Sequence, residues 1–133
     1  MTFLQAIASA FRQYVGFGGR ARRSEFWWFV LFYVLVSFVV GAIDGVARSS
    51  ALGALEALAF FLPTLAIEVR RLHDIDKSGW WILLGFIPLI GLIILIVWWC
   101  RDGVAGDNRF GPDPKRAGVD PTVFDASPPA RPV

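Results

Sequence analysis

The sequence predicts an all-α membrane protein: about three transmembrane helices preceded by a short amphipathic helix, with a mostly disordered C-terminal tail. Composition is the first observation behind this. Of the 133 residues 56% are hydrophobic and only 18% are charged, where a soluble domain carries about 25% charged residues. Patterning is the second. Phe26 to Ile43 and Trp80 to Cys100 are uncharged, and each is long enough to approach a hydrocarbon core of about 30 Å at ~1.5 Å per helical residue. A chain of this length holds one domain, expected over residues 1–117 and followed by a disordered tail over 118–133.

Residues 1–15 are amphipathic. Phe3, Leu4, Ile7, Ala8, Phe11, Tyr14 and Val15 fall on one face at helical spacing, with Gln5, Ser9, Arg12 and Gln13 facing away. Such a helix either lies flat in the membrane interface or packs on the other helices. A signal peptide's apolar core starts within the first few residues and stops after roughly 7–15. Here the first long apolar run opens at Phe26, so it is read as a retained span.

Gly16, Gly18 and Gly19 break the first helix, and Arg20, Arg22 and Arg23 lead to Ser24 as an N-cap. Trp27 and Trp28 mark the entrance of a span over about 25–44. A second span over 50–70 carries Glu56, Glu68 and the helix-kinking Pro63. The third, over 79–100, has Trp80–Trp81 at one end and Trp98–Trp99 at the other, ~28 Å apart in a helix, with Gly85, Pro88 and Gly91 suggesting a bend. From Arg101 the chain turns polar and rich in Pro and Gly. Three crossings put the N-terminal arginines and the connector Arg70–Lys77 on one side, the tail on the other. The arginines packed before the first span lean toward a cytoplasmic N-terminus.

The densest polar cluster runs from Glu68 to Gly79. On a helix Glu68 reaches Arg71 at i+3 and Arg70 reaches Asp74 at i+4. The cluster reads first as an ion-paired connector that fixes topology, and second as a headgroup, anion or partner site on Arg70, Arg71 and His73. His73 is the only histidine and Cys100 the only cysteine; neither stands at metal-ligand spacing, so no metal or cofactor is expected. Adjacent His73 and Asp74 point apart on a helix and make a poor acid–base pair. No hydrolase, nucleotide or dinucleotide motif is present, and the reading is not an enzyme. No basic stripe with interleaved aromatics supports nucleic-acid binding. Glu56 and Glu68 are intramembrane carboxylates, a hint of ion handling that three short helices could serve only as an oligomer.

Three stretches are distinctive in combination. They are Gly19 to Trp28; Arg70-Arg71-Leu72-His73-Asp74 running into Lys77-Ser78-Gly79-Trp80-Trp81; and Gly106-Asp107-Asn108-Arg109-Phe110-Gly111-Pro112-Asp113-Pro114. In this order and spacing the chain resembles, over roughly 14–114, the bacterial inner-membrane proteins grouped as domain of unknown function 805. The resemblance implies a multi-pass protein of the bacterial cytoplasmic membrane and supplies no catalytic residues. It draws attention to Arg20, Arg22, Arg23, Arg71, His73, Asp74, Asn108, Arg109 and Asp113. The turn at Gly111–Pro114 is expected to fold back and offer Asp113 to an arginine cluster, making a polar cap at one membrane face. The function expected is a non-enzymatic interaction or scaffold protein with the lipid bilayer as partner, associating with itself or a larger membrane complex. A small oligomeric transporter or channel using Glu56 and Glu68 is the alternative, and a lipid-modifying enzyme on Arg70, Arg71, His73 and Asp74 comes third.

Overall fold

The computed structural model describes residues 2–115 and, among them, consists of helices: α1 (Phe3–Arg12), α2 (Arg23–Ala47), α3 (Ala51–Asp74), a 3₁₀ arm (Gly79–Phe86) and α4 (Ile90–Cys100). The all-helical membrane architecture expected from the sequence stands. The tail expected to be disordered over 118–133 lies outside the described residues.

Helix α1 opens with a reciprocal cap: the Gln5 amide donates to Thr2 Oγ1 at 3.3 Å and the Thr2 amide to Gln5 Oε1 at 2.9 Å. It packs against the other helices. Ala6 and Ala10 are fully buried, and Phe11 meets Phe32 and Phe60 edge-on at ring distances of 6.2 and 5.8 Å. Ser9, expected to face away, points inward and donates to Glu25 at 2.7 Å. The small alanines bring the helices close, which carries Ser9 into the seam.

Helix α2 starts two residues before the expected boundary, with Arg22 rather than Ser24 at the N-cap. It runs on to Ala47 and ends at Arg48 in the left-handed conformation. Lipid offers helices little hydrophobic incentive to associate, so polar contacts and packing decide the pairing. Two such contacts tie α2 to α3. Ser37 donates to Glu56. Asp44, in the last turn of α2, accepts from the amides of Leu52 (3.3 Å) and Gly53 (2.8 Å). It thereby satisfies donors that every helix N-terminus leaves open and sits where the helix dipole favours an anion.

Helix α3 continues through Pro63. Proline has no amide hydrogen, so the carbonyl of Ala59 four residues earlier loses its helical donor. The Tyr14 hydroxyl supplies the missing bond. Tyr14→Phe is expected to lower stability by about 1–2 kcal/mol, the cost of an orphaned carbonyl, read as an earlier unfolding midpoint in mixed micelles. An unchanged midpoint would remove the hydroxyl from this role.

The third apolar run departs from the single helix expected over 79–100. It is a hairpin. The 3₁₀ arm and α4 meet at a turn around Pro88–Leu89, where Leu89 takes a φ of 62°. Trp81 and Trp98, expected at opposite faces of the membrane, stand ring to ring at 5.7 Å; in one continuous helix they would be ~25 Å apart. The Lys77 ammonium lies 4.6 Å above the Trp98 ring and clasps the base of the hairpin. The physical reason is local. Pro88 cannot donate to the helix ladder, and Gly91 lets the arms touch, since a Cβ there would strike the Leu84 carbonyl. Each arm is about 16 Å long, half the hydrocarbon thickness.

Both ends of the hairpin therefore lie at the same end of the molecule as the start of α2 and the end of α3. Arg20, Arg22, Arg23, Arg70, Arg71, Lys77, Arg101, Arg109 and Lys115 gather there, while Arg48 stands at the opposite turn.

Candidate functional site

The site is the polar cap where these basic residues meet, and Asp74 is its centre. Arg71, one turn earlier on α3, donates to Asp74 Oδ2 at 2.5 Å. Arg20, on the segment before α2, donates through Nε to Asp74 Oδ1 at 3.0 Å. The remaining nitrogens of both arginines turn to backbone carbonyls at the end of α4 and in the chain after it. Arg20 donates to Val104 and Gly106, each at 2.6 Å, and Arg71 to Trp99 at 3.1 Å and to Arg101. The amide of Val104 in turn donates to the Asp74 carbonyl at 2.8 Å. Gly103 permits this approach, because a Cβ there would collide with the Asp74 carboxylate.

The pairings expected within α3 are corrected here. Arg71, not Arg70, pairs with Asp74. Arg70 donates to Glu25 Oε1 on α2 at 3.1 Å, the oxygen that also accepts from Ser9. Arg70 is fully buried, and its Nε and Nη2 have no partner among the described residues. Glu68 makes no hydrogen bond or ion pair among the described residues. Arg70 faces the seam with α1 and α2, where Glu25 is the nearest anion, whereas the end of α3 brings Asp74 between Arg20 and Arg71. A partner on another helix took Arg70, and Asp74 kept a same-helix partner one residue nearer than spacing suggested.

His73 lies on a different side of the cap. Its Nδ1 is 2.9 Å from the Gly19 carbonyl; a carbonyl only accepts, so Nδ1 carries the proton. The imidazole stacks on Phe110 with ring centres 3.9 Å apart and planes within 4°. The Arg109 guanidinium lies over the Phe110 ring, 4.6 Å from its centre, and pairs with Asp76 at 3.3 Å. Asn108 donates to the His73 carbonyl at 2.8 Å. The tail does fold back as expected, and Asp113 is buried. Asp113 accepts from the Gly106 amide at 2.9 Å and so holds the loop whose carbonyls receive Arg20.

The exposed rim carries Arg23, Asp102 and Lys115, with Asp102 3.4 and 3.3 Å from the two cations. The hydrogen bond from Lys115, aided by the charge of Arg23, holds the Asp102 carboxyl below the usual carboxylate range. The Arg22 side chain makes no polar contact among the described residues. Cys100 is exposed. Among the described residues no cluster of three His, Cys, Asp or Glu side chains is placed to hold a metal ion. Sequence reasoning missed Glu25, Ser9, Gly103 and Phe110. Glu25 and Phe110 lie within the quoted stretches, but nothing in a linear sequence ties Glu25 to Arg70, or Phe110 to His73.

The cap thus joins three stretches that are remote in sequence, and these are the three stretches a family comparison should match. Residues 14–112 match the model of the family described as protein of unknown function, DUF805. The chain belongs to this family. The inner membrane protein YhaH of Escherichia coli K12 is 49% identical over 110 residues, covering 78% of this chain and 91% of that protein. Its inner membrane protein YhaI is 46% identical over 114 residues, covering 84% and 97% respectively. No solved structure matches the chain. Membership in the DUF805 family places the chain with bacterial inner-membrane proteins, and the matched span takes in Arg20, Glu25, Arg70, Arg71, Asp74 and the hairpin together.

Proposed function

We propose that this chain is a non-enzymatic scaffold of the bacterial inner membrane, which crosses the bilayer twice through α2 and α3. The 79–100 hairpin then enters from the cap side and returns to it. Arms of half-membrane length and the meeting of Trp81 with Trp98 support the re-entrant course. With residues 101–115 on the cap side, basic residues crowd that face, and among the described residues Arg48 is the one at the opposite turn. The positive-inside rule then makes the cap cytoplasmic.

One observation carries the scaffold reading: the guanidiniums of Arg20 and Arg71 are buried and saturated by internal partners. A catalytic or headgroup-processing site needs such groups open to a substrate. Here they weld α2, α3 and the segment after α4 into a rigid platform, whose surface offers Arg23, Asp102, Arg109 and Lys115 to another protein. Photo-crosslinking in native membranes tests this. A photoreactive residue replacing Arg109 is expected to give a discrete adduct with a protein partner or a second copy, and one replacing Val46 to give none. No adduct from the cap, or lipid turnover by the purified protein, would sink the reading.

A further inference from the structure

A groove of about 870 Å³ lies between α3 and the 3₁₀ arm. Phe61, Leu65 and Val69 form one wall, and Ile82, Leu83 and Phe86 the other. Phe61 and Phe86 are among the most exposed aromatic residues of the molecule, at 63% and 84%. The groove is thus continuous with the surface that faces acyl chains. Its polar side chains, His73 and Ser78, sit together at the cap end. From His73 to Phe61 is about 18 Å along α3, close to the ~15 Å depth of one leaflet.

His73 is oriented for a ligand at that end. Its Nδ1 proton is committed to the Gly19 carbonyl, which leaves Nε2 as an acceptor on the groove side, 3.5 Å from where a Gly79 Cβ would stand. Gly79 itself keeps the groove open at its neck, since a side chain there would press on Val69. Beside Ser78 the Lys77 ammonium lies over the Trp98 ring and has no ion-pair partner among the described residues, whereas Arg109, against Phe110, is paired with Asp76. An apolar slot one leaflet deep, closed by hydrogen-bonding groups and positive charge at the headgroup level, has the chemistry of an anionic phospholipid.

We propose that this groove is a specific site for an anionic glycerophospholipid of the cap-side leaflet. One acyl chain lies along Leu65 and Leu83, the phosphate accepts from the Ser78 hydroxyl beside Lys77, and a headgroup hydroxyl donates to Nε2 of His73. The inference goes beyond the scaffold reading and stands on other residues, so failure of the Arg109 crosslink and failure of lipid retention are separate results. The test is native mass spectrometry of the full chain released from nanodiscs of phosphatidylglycerol or of phosphatidylcholine. Wild type is expected to retain one phosphatidylglycerol. Leu65→Trp and, on the opposite wall, Leu83→Trp fill the groove without touching the cap and should each cut retention at least tenfold. Leu58→Trp, on the same helix but outside the groove, should leave it unchanged. Loss in either groove variant counts as support only where circular dichroism matches wild type. Equal retention of phosphatidylcholine, retention undiminished in both groove variants, or a second protein copy in place of lipid would overturn the proposal.

Discussion

Asp74→Ala should be among the most damaging single substitutions in this protein, lowering stability by about 3–5 kcal/mol. The substitution leaves two buried guanidiniums, Arg20 and Arg71, facing each other without their shared anion, and removing one partner from a buried ion cluster costs on that scale. The cluster as a whole need not be strongly stabilising, because desolvation of all three charges offsets much of their attraction. Replacing the three together, with Arg20→Met, Arg71→Met and Asp74→Leu, removes the unpaired charges but also the donors to four backbone carbonyls. Its loss is therefore expected to be smaller than the sum of the three single losses, a non-additivity that identifies a coupled unit. Exposed pairs behave otherwise. Asp102→Asn, at the solvent-facing rim, should shift the unfolding midpoint little, since such pairs contribute little. Equal losses from Asp74→Ala and Asp102→Asn in mixed-micelle unfolding would contradict the central role given to Asp74.

Opening the hairpin should have the second large effect, on topology rather than on stability alone. In a background with Cys100→Ser, a thiol placed at Ser127 is expected to resist a membrane-impermeant maleimide in cells with permeabilised outer membranes until they are lysed. A thiol at Ser49, in the turn after Arg48, should label without lysis. Gly91→Val drives a side chain into the Leu84 backbone, so the arms cannot close. An unfolded hairpin of this length and hydropathy can cross the bilayer as one helix, and a fraction of the Ser127 thiol should then label in intact cells. Labelling of the wild-type Ser127 thiol without lysis would mean that 79–100 crosses the membrane as a continuous span.

Much of this was legible in the sequence. The uncharged runs gave α2, and the apolar stretch through Pro63 gave α3, because length and charge are the quantities a bilayer selects on. The three polar stretches that carry the family resemblance meet in one cap, as a signal distributed along the chain can suggest. What the sequence withheld is long-range. Helical spacing proposed Glu68–Arg71 and Arg70–Asp74. Arg71 instead pairs with Asp74 one turn on, while Arg70 is taken by Glu25 of α2 and Asp74 gains Arg20, partners that only tertiary packing brings in. The paired tryptophans at 80–81 and 98–99 fit the two faces of a membrane as well as the two legs of a hairpin. Periodicity cannot separate these, since each leg is as apolar as a span. Pro88 and Gly91 were visible as a bend, but only the closeness of Gly91 to the Leu84 backbone turns a bend into a reversal.

The order in which the cap's pieces emerge during synthesis has a consequence of its own. Arg20 and Arg71 are both made before the carbonyls of Trp99, Arg101, Val104 and Gly106 that saturate them. Until those last residues leave the ribosome, the guanidiniums lack half their acceptors and must stay hydrated at the membrane edge. A nascent chain that stops at Cys100 thus carries both long helices but lacks the carbonyls of Arg101, Val104 and Gly106 that complete the arginines' partners. The cap is a seal set last: it closes only once the chain has been made through Gly106, well after both long helices.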